Sequence, residues 1–160
     1  MDLTYYLGPQ LDPHVDALFQ ASLKLMTRPN KIMSTNATRA IFCLLTFPSY
    51  HPKSVQTLAT LLLTDKSAFA RERAADFLRW IMDRLLTSSD ARDHPDHDEQ
   101  RALLERTGAV DLLERVLKKS LSDSHAMVRE ISREIWRSYA LEWPDRATKC
   151  LFFFVSVLLS

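Results

Sequence analysis

The sequence predicts an all-α fold, an α-solenoid of about three antiparallel helical hairpins, on three observations. Glycine is nearly absent: only Gly8 and Gly108 occur, where average usage would give about 11, and tight β-turns and bulges depend on it. Apolar residues recur at helical spacing in runs broken by Pro, Asn and Asp. The runs also come in related pairs. With Met33, Ala70 and Val128 set as equivalent, the residues four further on are small (Ala37, Ala74, Ser132), and those eight further on are large (Ile41, Leu78, Trp136). The spacings are 37 and 58 residues, the second enlarged by an acidic loop and a short helix. Small residues at the first position let antiparallel helices approach, and large ones fill the layer between neighbouring hairpins, as stacked helical repeats require.

Taken in order, Asp12-Pro13 reads as an N-cap and first turn, followed by an apolar stripe of Val15, Leu18, Phe19, Leu25 and Met26. Arg28-Pro29-Asn30 breaks this helix. A second runs from about Thr35 to Phe47 on Ala37, Ala40, Ile41, Leu44 and Leu45, and a third from Pro52 to Thr64 on Val55, Leu58, Leu61 and Leu62. The fourth, Phe69 to Leu86, buries Ala70, Ala74, Phe77, Leu78 and Ile81. Residues 87–100 are polar and turn-rich and read as an exposed loop. A short helix, Arg101 to Arg106, ends at Gly108, a residue suited to a helix C-cap. Helices from Val110 to Leu121 and from Ala126 to Glu142 follow, the latter capped by Asp123 or Ser124 and closed by Pro144. This divides the chain into one domain, 12–149, with repeats at about 12–48, 52–86 and 100–147, and an apolar tail at 150–160.

The net charge of +1 provides no global field toward nucleic acid or anionic lipid. Cys43 and Cys150 form neither a disulfide framework nor a metal quartet, which fits a reducing compartment. The N-terminus has no basic region leading into an apolar one and does not read as a secretory signal. The tail, CLFFFVSVLLS from Cys150, is far shorter than the roughly 20 residues needed to cross a bilayer. No nucleic-acid or membrane partner is expected.

Candidate chemistry is sparse. His94, Asp96, His97 and Asp98 resemble a metal set, but Pro95 separates the histidines and no apolar shell would hold them. Asp111 and Glu114 read as a solvated helix face, and Ser124 with His125 lacks an orienting third group. No glycine-rich phosphate loop or nucleophile elbow occurs. No cofactor and no enzymatic activity are expected. The basic residues are better organised: Arg28 and Lys31, then Lys66, Arg71 and Arg73, then His125 and Arg129 fall at the turns between paired helices. Aligned turns would make a basic ridge suited to an acidic protein surface, although cations on a helix also serve solubility, with Arg129 pairing Glu130 or Glu134.

The stretch from Thr107 to Ala147 is similar to the last HEAT repeat of a TOG domain in the CLASP family and its fungal counterparts. The matching elements are Lys118-Lys119, Leu121 and Asp123, then Val128-Arg129, Trp136, and Trp143-Pro144 with Arg146-Ala147. Residues from Asp12 to Leu86 resemble the two preceding repeats more weakly, with Asn30-Lys31-Ile32 at a basic turn and Ala70-Arg71 where "VR" is common. The resemblance implies a paddle-shaped stack whose turns contact tubulin, in a protein that stabilises spindle microtubules and resides in the cytoplasm, on the cytoskeleton or in the nucleus. Carried over by position, the tubulin contacts would be Lys31, Lys66, Arg71 and Arg129. A whole TOG domain has six repeats, and by this resemblance the chain matches about three, the C-terminal half. The third turn reads Ser-His-Ala where a proline is common, and the tail leaves the family pattern after Lys149. A general HEAT scaffold without tubulin affinity is the alternative.

Overall fold

In the computed structural model, residues 8–46, 52–87 and 97–150 are described, and among them no strand occurs. The all-α expectation holds. A 3-10 segment, Gly8–His14, leads into α1 (Val15–Met26) and α2 (Lys31–Thr46). Next come α3 (Pro52–Thr64) and α4 (Ala68–Met82), the latter continued by a π-helical turn, Asp83–Thr87. They are followed by α5 (His97–Arg106), α6 (Ala109–Ser120) and α7 (Ala126–Glu142), and residues 144–150 are again helical. The chain forms two compact units, Met1–Val55 and Gln56–Ser160, with the division inside α3.

In the first unit α1 packs on α2. The buried stripe of α1 is Val15, Phe19, Leu23 and Met26, whereas Leu18 and Leu25, expected inside, are exposed. Leu23 takes the inward position between Phe19 and Met26. The α-helix begins only after a 3-10 segment containing Pro13; His14, not Asp12, stands at the N-cap and makes no side-chain cap bond. The second helix starts earlier than the Arg-Pro-Asn break suggested. Asn30 Oδ1 accepts the Met33 amide at 3.1 Å, so Asn30 is the cap that opens α2. Replacing Asn30 with alanine is expected to cost about 1 kcal/mol in denaturant unfolding. An unchanged midpoint would show that the cap contributes nothing.

The second unit is built around α4 and α7, which run in parallel. Arg71 near the start of α4 reaches Asp123 just before α7, and Arg79 further along α4 reaches Glu134 at 3.4 Å. Ala70, Ala74 and Ala75 on α4 and Val128 and Ser132 on α7 are fully covered. Small residues therefore let successive second helices meet here, rather than only the two arms of one hairpin. The large position behaves differently from expectation at one site. Ile41 and Leu78 are buried, but Trp136 is only half-buried; the buried α7 residues around it are Ile135 and Tyr139.

Gly108 sits at φ 70, ψ 12, the left-handed conformation that lets α5 end and α6 begin with almost no linker. Four residues assigned to the acidic loop, 97–100, belong to α5, where Asp98 and Glu99 suit the positive end of the helix dipole. His94 and Asp96 lie outside the described residues. Pro144 does not end the helical run: the chain breaks at Trp143 and resumes with Pro144 at a first helical position, where its missing N–H costs nothing. Among the described residues no helix is long and apolar enough to cross a membrane.

Candidate functional site

The turns between paired helices in the second unit share one construction. In the first of them, residues 65–67, Asp65 Oδ1 accepts the Ser67 amide at 2.7 Å; in the other, Asp123 Oδ1 accepts the His125 amide at 2.8 Å. Six residues after each aspartate stands an arginine. Arg71 Nη1 donates to the carbonyls of Asp65 and Lys66, both at 3.1 Å. Arg129 Nη1 donates to the carbonyls of Asp123 and Ser124, at 2.7 and 3.0 Å. The 58-residue spacing read from small and large positions is thus reproduced by matching hydrogen bonds. Aspartate closes the turn at its start, and arginine clasps the same turn from the following helix.

Arg71 does more than its counterpart. Its Nε and Nη2 donate to the two carboxylate oxygens of Asp123 at 2.8 and 2.9 Å, a bidentate pair with both side chains mostly covered, 13% and 9% exposed. The hydrogen bond from Arg71, opposed by burial, holds the Asp123 carboxyl below its ordinary range. A direct tubulin contact at Arg71, as the resemblance implies, would need its guanidinium exposed and free of a saturating carboxylate. It is instead the tie between successive turns, because its fork matches a carboxylate that the next turn presents edge-on. Lys119 Nζ, beside the second turn, bonds the Leu63 carbonyl at the end of α3.

The remaining cations fall as follows. Lys66 is exposed at the tip of its turn, and Lys31 is exposed at the start of α2 in the first unit. The turn ahead of Lys31 lacks the aspartate–arginine clasp. Ser34 occupies the place of Arg71, and its hydroxyl donates to the Met26 carbonyl at 2.7 Å. Arg129 is half-buried and pairs with neither Glu130 nor Glu134; Glu134 serves Arg79. Arg73 lies over the Phe69 ring at 5.4 Å. His125 Nδ1 is 3.8 Å from Glu72, and the Ser124 hydroxyl accepts from Arg71, so neither is arranged as a nucleophile and base.

Asp111 is exposed, as expected of a solvated face, whereas Glu114 is mostly covered. Glu114 Oε1 accepts from Tyr139 Oη at 2.6 Å and from Arg146 Nε at 2.7 Å, while Asp111 takes Arg146 Nη2. Trp143 Nε1 donates to Glu105 at 2.7 Å, and Ala147 is buried. The Trp-Pro-x-Arg-Ala sequence is therefore a clamp that holds residues 143–147 against α5 and α6. The pattern of α6 alone does not show this, since the arginine that engages its carboxylates lies more than 30 residues away. Among the described residues no group of His, Cys, Asp and Glu is placed to hold a metal.

Residues 1–156 match the family described as CLASP N terminal. The chain belongs to this family. Protein STU1 of Gibberella zeae is 30% identical over 146 residues, covering 91% of this chain and 12% of that protein. Protein STU1 of Chaetomium globosum is 31% identical over 140 residues, 88% of this chain and 11% of the relative, and protein stu-1 of Neurospora crassa is 31% identical over 147 residues, 92% and 12%. The chain thus spans about an eighth of the length of these relatives. Within the CLASP N-terminal chain, the Lys-Lys-x-Leu-x-Asp and Val-Arg sequences are the residues that close, clasp and tie the turns.

Proposed function

We propose that this chain is a microtubule-associated module that binds tubulin through the turns between paired helices. In its parent protein it would serve to stabilise dynamic microtubules of the spindle, in the cytoplasm or the nucleus. Membership of the CLASP N-terminal family supports the association. The observation that carries the site is the clasped turn: Arg71 and Arg129 fix the backbone from behind, and Lys66 projects from the tip with its side chain exposed. Lys66 and Lys31 are assigned direct contact with an acidic surface. Arg71 and Arg129 are assigned to positioning, with Arg129 retaining a free edge for contact.

Exposed cations at a rim act mostly on association rate and salt sensitivity. Lys31→Glu with Lys66→Glu is expected to weaken microtubule co-sedimentation about three- to tenfold, with the far-ultraviolet circular dichroism unchanged. Lys24→Glu with Lys53→Glu, the same charge change outside the turns, should do much less. Equal loss from both pairs would reduce the effect to net charge. If the wild-type chain neither pellets with microtubules nor binds free tubulin, the general HEAT-scaffold reading takes its place.

A further inference from the structure

The face that α4 turns toward α7 carries Arg71, Ala75, Leu78 and Arg79, spaced along one side of the helix. Arg71 and Arg79 engage carboxylates just before α7 and in its middle, and Ala75 and Leu78 between them are 0% and 1% exposed. Displaced by 58 residues, the equivalent face of α7 carries Arg129, Arg133, Trp136 and Arg137. On α7 Arg133 and Arg137 are exposed, and Arg129 and Trp136 half-buried, the Trp136 ring lying against Tyr139. Arg133 and Arg137 make no hydrogen bond or ion pair among the described residues, and Arg129 uses only Nη1, on its own turn.

The residue changes between the two faces say what the α7 face accepts. Ala75 is small and fully covered; its counterpart is an arginine, and Leu78 is replaced by a tryptophan. A further helix could not pack at the same distance over Arg133 and Trp136 without displacing both. The cations, however, keep the spacing at which Arg71 and Arg79 capture carboxylates.

We propose that Arg129, Arg133, Trp136 and Arg137 form a docking face for an extended, aspartate- and glutamate-rich segment of a partner protein. One carboxylate seats on the free edge of Arg129, as Asp123 does on Arg71, and the others meet Arg133 and Arg137, with the Trp136 ring as an apolar floor. Glu130 is exposed and Glu134 engaged with Arg79 on the neighbouring flank of the helix, so a segment with spaced acidic groups fits better than a continuous polyphosphate. Arg129, whose free edge the turn contact proposed above would also use, is the one residue this face shares with the turns; Arg133, Trp136 and Arg137 lie further along α7 and carry the test.

The test uses the full chain and a fluorescein-labelled peptide of alternating glutamate and serine, read by anisotropy at low and physiological salt. Wild-type protein is expected to bind with affinity that falls as salt rises, and Arg133→Glu with Arg137→Glu to bind about tenfold more weakly. Arg115→Glu with Lys24→Glu, exposed cations off this face, should retain binding, and Trp136→Ala should weaken it with the helical signal unchanged. Arg129 is left intact because it clasps a turn. No binding by the wild type, or equal loss from both charge-reversed pairs, overturns the proposal. Tighter binding of a single-stranded oligothymidine would reassign the face to nucleic acid. Wild-type self-association in sedimentation velocity that Arg133→Glu abolishes would make it an interface between copies.

Discussion

Replacing Asp123 with alanine is expected to lower the stability of the second unit by about 2–3 kcal/mol, somewhat less than the roughly 3–5 kcal/mol lost on breaking a fully enclosed ion pair. The substitution strands a mostly covered guanidinium, removes both bonds of the Arg71 fork, and deletes the acceptor of the His125 amide. Urea unfolding followed by circular dichroism reads the loss. The Arg71→Ala, Asp123→Ala double variant should lose less than the sum of the two single variants, because the pair is one interaction. Additive losses would mean the two side chains act independently. The same pair gives the unit an acid sensitivity. The folded Asp123 carboxyl lies below its unfolded value, so its contribution is fully present above the ordinary aspartate range and is lost as pH falls through the lowered folded value. Glu114 follows the same sign: burial raises its carboxyl, but the hydrogen bonds from Arg146 and Tyr139 outweigh burial and leave it lowered. Stability should therefore decline below about pH 4, and Asp123→Ala should flatten part of that decline.

Tyr139→Ala is expected to be the costliest single truncation, about 3–5 kcal/mol, as for other large buried aromatics. Tyr139 is 0% exposed, with the Trp136 and Trp143 rings at 5.6 and 5.5 Å and its hydroxyl on Glu114. Burial, reinforced by Glu114, drives its phenol well above the ordinary range, so it stays protonated and donating. Tyr139→Phe keeps the ring and removes only one of the donors to Glu114, and should cost about 1–2 kcal/mol. Trp136→Ala, at a half-buried position, should cost less than Tyr139→Ala in the same melt. The reverse order would restore Trp136 to the core that the repeat pattern assigned to it.

What the sequence made legible was governed by local periodicity. The bounds of α3 and α7 match the apolar patterns and the Pro52 and Glu142 signals, because each helix carries its own start and stop chemistry. In α1, Val15, Phe19 and Met26 were legible as core, but Leu23 lies at one edge of the apolar arc and Leu18 and Leu25 at the other, and packing decides between the edges. Asn30 carried a readable cap signal that its neighbour Pro29 obscured. The turn cations were found by position, but their division into clasping, tying and exposed groups was not. Arg71 and Asp123 are 52 residues apart, and no pattern within one repeat announces that one turn's arginine pairs with the next turn's aspartate. The same distance in sequence hid the Arg146 clamp on Asp111 and Glu114.

The arginine clasp has one further consequence. Arg71 and Arg129 grip the turns by main-chain carbonyls, at Asp65 and Lys66 and at Asp123 and Ser124. A carbonyl is present whatever side chain its residue carries. The path of the chain through position 66 is therefore insulated from the identity of that residue, whose side chain is exposed at the tip; at position 124 the Ser124 hydroxyl also accepts from Arg71. Shape is written in the arginines and aspartates; specificity can be rewritten at the tips without renegotiating the fold. A lineage of such modules could pass from one acidic partner to another through single tip substitutions, each leaving the scaffold that presents it unchanged.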